Sequence, residues 1–275
     1  MRVIILLLIS ILPIFLIGYY VYKHDNNKEP KRLLIKLFIY GMLSCIPAII
    51  LELIIELFFK DEILMNLPEL FIFIFIDVAL IEEICKWLMT YKISYNNPEF
   101  NQFYDAIVYA VSVSLGFAAF ENIFYVLDSG YLTGLLRAIF AIPGHTCDAI
   151  IMGRYLGLAK EAKIKNNKKL EKKNLILSIL LPSLAHTIYD FCISAQANIF
   201  IYIFLIAILW IYIYSIRKIK YISKKNYYLK NKELFCPNCQ SKNEYENNFC
   251  TKCGEPLSQV KINNSNNLTN MSVKW

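Results

Sequence analysis

Residues 71–93 read FIFIFIDVALIEEICKWLMTYKI, and the ends of that stretch disagree with its middle. The flanks are apolar enough for a helix embedded in lipid, yet Glu82, Glu83 and Lys86 crowd its centre. On insertion scales an acidic or basic side chain at the middle of a membrane helix costs roughly 2.5–3.5 kcal/mol. A chain that keeps three such groups together in that setting has a use for them.

The surrounding sequence shares the apolar character. The chain has 275 residues, 57% of them hydrophobic and 15% aromatic, with a mean hydropathy of +0.43. An ordinary soluble domain is close to half apolar. Here the excess falls in blocks, each near the ~20 residues that cross a hydrocarbon layer ~30 Å thick. The blocks predict spans at 3–22, 34–57, 69–91, 104–127, 132–158, 174–192 and 197–216. In lipid every backbone amide must be satisfied within its own segment, so long apolar runs of this kind form helices. The fold class is therefore an all-α polytopic membrane protein of about seven transmembrane helices.

The net charge of +7 does not describe a nucleic-acid-binding face, because the basic residues sit in alternate loops. Lys23, Lys28, Lys31 and Arg32 follow the first span, seven lysines crowd KEAKIKNNKKLEKK (160–173), and Arg217, Lys218, Lys220, Lys224 and Lys225 follow the last. The other loops, such as 60–70 and 128–130, are neutral or acidic, which is the positive-inside pattern. It predicts an N-terminus outside and a C-terminal tail in the cytoplasm. Residues 1–22 carry their positive charge on the C-terminal side and lack a small-residue cleavage site, so they read as a retained anchor rather than a signal peptide.

By composition the chain divides into a membrane domain (1–216), a basic juxtamembrane linker (217–235), a cysteine-rich module (236–257) and a polar, disordered tail (258–275). The linker lysines are placed to hold anionic lipid. Cys45, Cys85, Cys147 and Cys192 lie in apolar spans and read as small hydrophobes. Cys236, Cys239, Cys250 and Cys253 form two CxxC knuckles ten residues apart, the spacing of a zinc ribbon. Four thiolates leave no open coordination position, so this zinc would be structural.

Four spans carry polar groups that lipid would reject. Lys86 lies one turn beyond Glu82 and Glu83, between them on the helix, and supplies a counter-charge. Span 4 carries Glu121 and Asn122, with Tyr125 one turn beyond Glu121. Span 5 carries His145 just after Pro143 and Gly144, which are expected to weaken the helix there, and span 6 carries His186 with Asp190 one turn on. Of three histidines only His24 is placed in a loop. Ionisable groups inside a bundle face its interior and mark functional pathways. A Glu–Glu–His–His set has two chemistries open to it: holding a divalent metal such as zinc with a free water position, or using a glutamate as general base on a water that the histidines orient. Asp190 is placed to accept a ring N–H from His186.

EEICK fits an EExxK motif, FENIFY fits FExxxY, and His145 followed by HTIYD complete the order. Together, over roughly residues 30–216, they resemble the PrsW intramembrane proteases, which are related to the CAAX prenyl proteases and bacteriocin-processing membrane enzymes. The resemblance implies a bacterial cell-membrane peptidase that cleaves a single-span, membrane-anchored protein, typically an anti-sigma factor, and so releases an extracytoplasmic-function sigma factor. Residue by residue, it implies Glu82, Glu83, His145 and His186 as catalytic, with Lys86, Glu121, Tyr125 and Asp190 in support. Two other classes account for part of the sequence. A proton-coupled transporter would use the buried acids and histidines as a relay, but paired halves are not visible. A membrane sensor presenting the ribbon explains the tail and leaves the polar core without a purpose.

Overall fold

A computed structural model describes residues 2–58, 66–195, 198–224, 229, 233–244 and 247–257. The tail 258–275, and most of the connection at 60–70, lie outside the described residues. The chain is helical through its apolar part: α1 (Arg2–Lys23), α2 (Lys31–Glu56), α3 (Leu67–Phe73), α4 (Leu80–Ser94), α5 (Asp105–Ser129), α6 (Tyr131–Ile139), α7 (Ala141–Ile164), α8 (Lys168–Ser194) and α9 (Asn198–Lys224). Among the described residues four stretches are long and apolar enough to cross a membrane on their own: 31–56, 105–129, 132–164 and 168–194. Two strands, β1 (Glu233–Phe235) and β2 (Lys242–Glu244), pair antiparallel near the C-terminus.

Local chemistry sets several boundaries. Asn66 accepts from the Glu69 N–H at 3.1 Å while Glu69 accepts from the Asn66 N–H at 3.0 Å, a reciprocal cap that starts α3. Asn167 caps α8 by accepting from the Leu170 N–H at 3.0 Å. Gly130, at φ +83°, ends α5 in a backbone conformation that other residues avoid.

The charged span 3 is one continuous rod with an irregularity. Between α3 and α4 the backbone winds as a π-helix over Ile74–Ala79, directly ahead of Glu82 and Glu83. The widened turn takes in an extra residue and rotates α4 by roughly 100° relative to an unbroken helix. Single π-turns of this kind are frequent beside functional groups.

Span 5 differs from expectation in where it breaks. The interruption falls at Phe140, between α6 and α7, and not at Pro143–Gly144. Pro143 lies in the first turn of α7, where a missing N–H leaves no intrahelical bond unmade. The basic segment from 217 also begins as helix, because α9 has no Gly or Pro to stop it before Lys224 and Ile219 and Ile222 are buried in the main core.

α5 is the centre of the bundle: from Asp105 to Ala119 every residue except Ser112 is buried. α2 crosses it at backbone contact. A Cβ on Gly41 would stand 2.0 Å from the Val113 carbonyl oxygen, and one on Gly116 equally close to that of Phe38. Small residues at such a crossing are how membrane helices gain packing energy in the absence of a hydrophobic drive. The outer surface is correspondingly apolar, with Phe15, Leu16, Leu57, Ile206 and Trp210 exposed. α2, the α3–α4 rod, α5, α7 and α8 enclose a cavity of about 710 Å³, lined among others by Glu82, Glu121, His145, His186 and Asp190.

Candidate active site

Glu82 and Glu83 follow the π-turn on α4, Glu121 stands in the last third of α5, His145 in the second turn of α7, and His186 in the last third of α8. These positions lie toward the same end of the bundle, and the side chains meet there. Glu82, Glu83, His145 and His186 each offer a ligand atom within 4.8 Å of the others, and none is more than 5% exposed.

Lys86 ties the set together. Its Nζ donates to Glu82 Oε2 at 2.9 Å and Glu83 Oε1 at 2.8 Å. It also meets His145 Nδ1 at 3.1 Å and lies 4.3 Å over the Phe117 ring. An ammonium has only protons to give, so His145 Nδ1 accepts and its Nε2–H donates to Glu121 Oε2, 2.9 Å away. His186 stands between acids: Nε2 is 3.1 Å from Asp190 Oδ2 and Nδ1 is 3.2 Å from Glu83 Oε1. The two imidazoles meet edge to face at 5.2 Å. Tyr125 is 43% exposed and does not touch the four central residues through any hydrogen bond; its ring supports a guanidinium instead.

That guanidinium belongs to Arg137, which no sequence motif singles out. Arg137 Nη2 binds Glu121 Oε1 at 2.6 Å and stacks 3.9 Å over Tyr125, completing a line from α6 through α5 to His145 on α7. Glu52 on α2 and Asp148 on α7 also line the cavity. The available signal was charge inside an apolar span, the rule applied to Glu82 and Glu83; Arg137 and Asp148 meet it but match no motif.

Near the C-terminus the four cysteines form a second cluster, their sulfurs within 4.8 Å of one another. Cys236 and Cys253 sulfurs are 3.5 Å apart, Cys239 and Cys250 3.6 Å, so the thiols are free and not disulfide-bonded. The Ser241 hydroxyl lies 3.0 Å from both the Cys250 and the Cys239 sulfurs, and its hydrogen bonding is the main cause that brings the Cys250 thiol down to about 5 and lowers that of Cys239. Four sulfurs so disposed suit a tetrahedral metal, which binds cysteines as thiolates.

The fold and the site together define a class: a polytopic membrane protein that gathers acids, imidazoles and an ammonium in a cavity among its helices. Residues 29–214 match the profile of the PrsW family intramembrane metalloproteases. Protease PrsW of Oceanobacillus iheyensis is 39% identical over 189 residues, covering 69% of this chain and 83% of that protein. Protease PrsW of Bacillus subtilis is 32% identical over 207 residues (75% and 90%), and that of Clostridioides difficile is 29% identical over 242 residues (86% and 97%). No solved structure matches the chain. The chain belongs to the PrsW family of intramembrane proteases.

The family's description as metalloproteases can be tested on the donors. Two imidazoles and two carboxylates are a set that binds zinc, and Glu83 Oε2 is buried without a hydrogen-bond partner. The residues fit a divalent ion. Lys86 already bonds three of the four, so an ion and the ammonium would address the same donors. When bound, such an ion supplies Lewis-acid activation of water.

Proposed function

We propose that this protein is an endopeptidase of the glutamate/histidine type that cleaves a single-span, membrane-anchored protein, an anti-sigma factor, as the first cut of regulated proteolysis. The observation that carries the reading is the convergence of Glu82, Glu83, His145 and His186, from three separate helices, within 4.8 Å of one another, with Glu82, His145 and His186 lining the cavity. The resemblance supports the substrate class, as does the position of the cavity among helices whose outer faces are apolar.

In this reading Glu83 accepts the proton of a water in the cavity, and the hydroxide attacks the carbonyl carbon of the scissile peptide. Lys86, whose three N–H groups go to Glu82, Glu83 and His145, holds these groups in register beside the cavity. His186, oriented by Asp190, protonates the departing amine. Glu121 holds the His145 tautomer. With the N-terminus outside, the site lies between mid-membrane and the outer face, and the four-cysteine module binds its structural zinc in the cytoplasm. The charge alternation of the loops supports that orientation. The test compares membrane fractions from cells with and without the chain. The expected result is one single-span protein shortened near its membrane segment, and an unchanged set of single-span proteins, under conditions where a close relative cleaves its own, contradicts the substrate class.

A further inference from the structure

At the end of the bundle away from the cavity, three carboxylates meet. Asp25 and Glu29 lie in the α1–α2 connection and Asp105 opens α5. Each offers an oxygen within 4.8 Å of the others, with exposures of 2%, 2% and 0%. Backbone groups hold the acids in place. Asp25 accepts from the N–H groups of Asn27 and Glu29 at 3.1 and 3.2 Å. Asp105 Oδ2 accepts from those of Asn101 and Gln102 at 2.9 and 2.6 Å. The Tyr109 hydroxyl donates to Glu29 Oε2.

Among the described residues no cationic side chain pairs directly with these acids. Lys28, the nearest cation in sequence, directs its Nζ to the backbone carbonyls of Tyr22, Lys23 and Asp25. Like charges this close repel far more strongly out of water than in it, and three carboxylates make three such pairs. A separate observation points the same way. Asp105 Oδ1, the oxygen not used by the loop amides, is buried with no hydrogen-bond partner. So is the side-chain oxygen of Asn101, a residue 8% exposed whose backbone N–H already binds Asp105. Two stranded acceptors beside three clustered acids call for a cation, and among the described residues no side-chain cation fills the place.

We propose that Asp25, Glu29 and Asp105 bind a hard divalent cation of the Mg²⁺, Mn²⁺ or Ca²⁺ kind, which fastens the α1–α2 connection to the start of α5. All the donors are oxygens, which selects these ions over zinc or copper. The site shares no residue with the cavity and stands whether or not the proposed chemistry does.

The test is a Mn²⁺ titration of the purified full-length protein in detergent, followed by electron paramagnetic resonance, with Mg²⁺ and Ca²⁺ as competitors. Wild type is expected to bind one Mn²⁺ that either competitor displaces, and Asp105→Asn to weaken it ~10-fold or more. Glu29→Gln gives the same reading should Asp105→Asn fail to fold. Glu83→Gln, in the Glu–Glu–His–His cluster, is expected to leave that ion in place. Three results overturn the proposal: wild-type binding weaker than about 1 mM, equal affinity in wild type and the folded variant, or loss of the ion in Glu83→Gln alone. The first two mean that the carboxyl groups only share protons, and the third puts the ion in that cluster.

Discussion

Arg137 and Glu121 are both largely withdrawn from solvent, at 18% and 14% exposure, and their 2.6 Å pair joins α6 to α5. Removing one partner of a buried pair strands the other charge, at a cost of about 3–5 kcal/mol when burial is complete. Arg137→Gln and Glu121→Gln are therefore each expected to lower the melting temperature in detergent. The double variant is expected to melt closer to wild type than either single one, the mark of residues in contact. Additive losses would show that the pair does not hold the α5–α6 corner. The same residues show where sequence stops being sufficient. Glu82, Glu83, His145 and His186 were visible because charges and imidazoles in apolar spans are conspicuous, and Asp190 lies one helical turn from His186. Arg137 reaches Glu121 across a helix break that no periodicity announces.

At the scale of elements, the crossing of α2 and α5 sets one wall of the cavity, and Gly41 and Gly116 allow it. Gly116→Leu would drive a branched side chain into the α2 backbone. Little folded protein is expected from it by size-exclusion chromatography, whereas Ser112→Ala, on the one less buried position of that stretch, should fold normally. A well-folded Gly116→Leu variant would mean that the helices do not pack at this distance. The helices themselves were legible from apolar length. The π-turn at Ile74–Ala79 and the break at Phe140 were not, because both depend on how neighbouring helices seat the chain and not on local residue type. Pro143 and Gly144 were the obvious breakers, yet a first-turn position disarms the proline.

For the whole molecule, the four-cysteine module and the bundle are expected to be separable in function. Cys236→Ser with Cys239→Ser should release zinc, measured by a colorimetric chelator, and unfold that module, since such sites draw their folding energy from the metal. Cleavage should persist at least in part; complete loss with normal expression would place the module in the catalytic machinery. Orientation has its own check: single cysteines introduced in 160–173 are expected to resist membrane-impermeant thiol reagents in intact cells, and labelling there would invert the topology. The central claim is that the four converging residues perform hydrolysis. The measurement that tests it most directly is cleavage of a single-span substrate by purified protein in liposomes, comparing wild type with Glu83→Gln, His186→Ala and His24→Ala at equal folded amounts. Removing a general base or acid should cost at least ~100-fold, and the Glu83→Gln/His186→Ala double variant should be scarcely slower than either single one, because groups acting as a unit are non-additive. His24→Ala should cleave like wild type. Near-wild-type cleavage by Glu83→Gln and by Glu82→Gln alike would contradict the account.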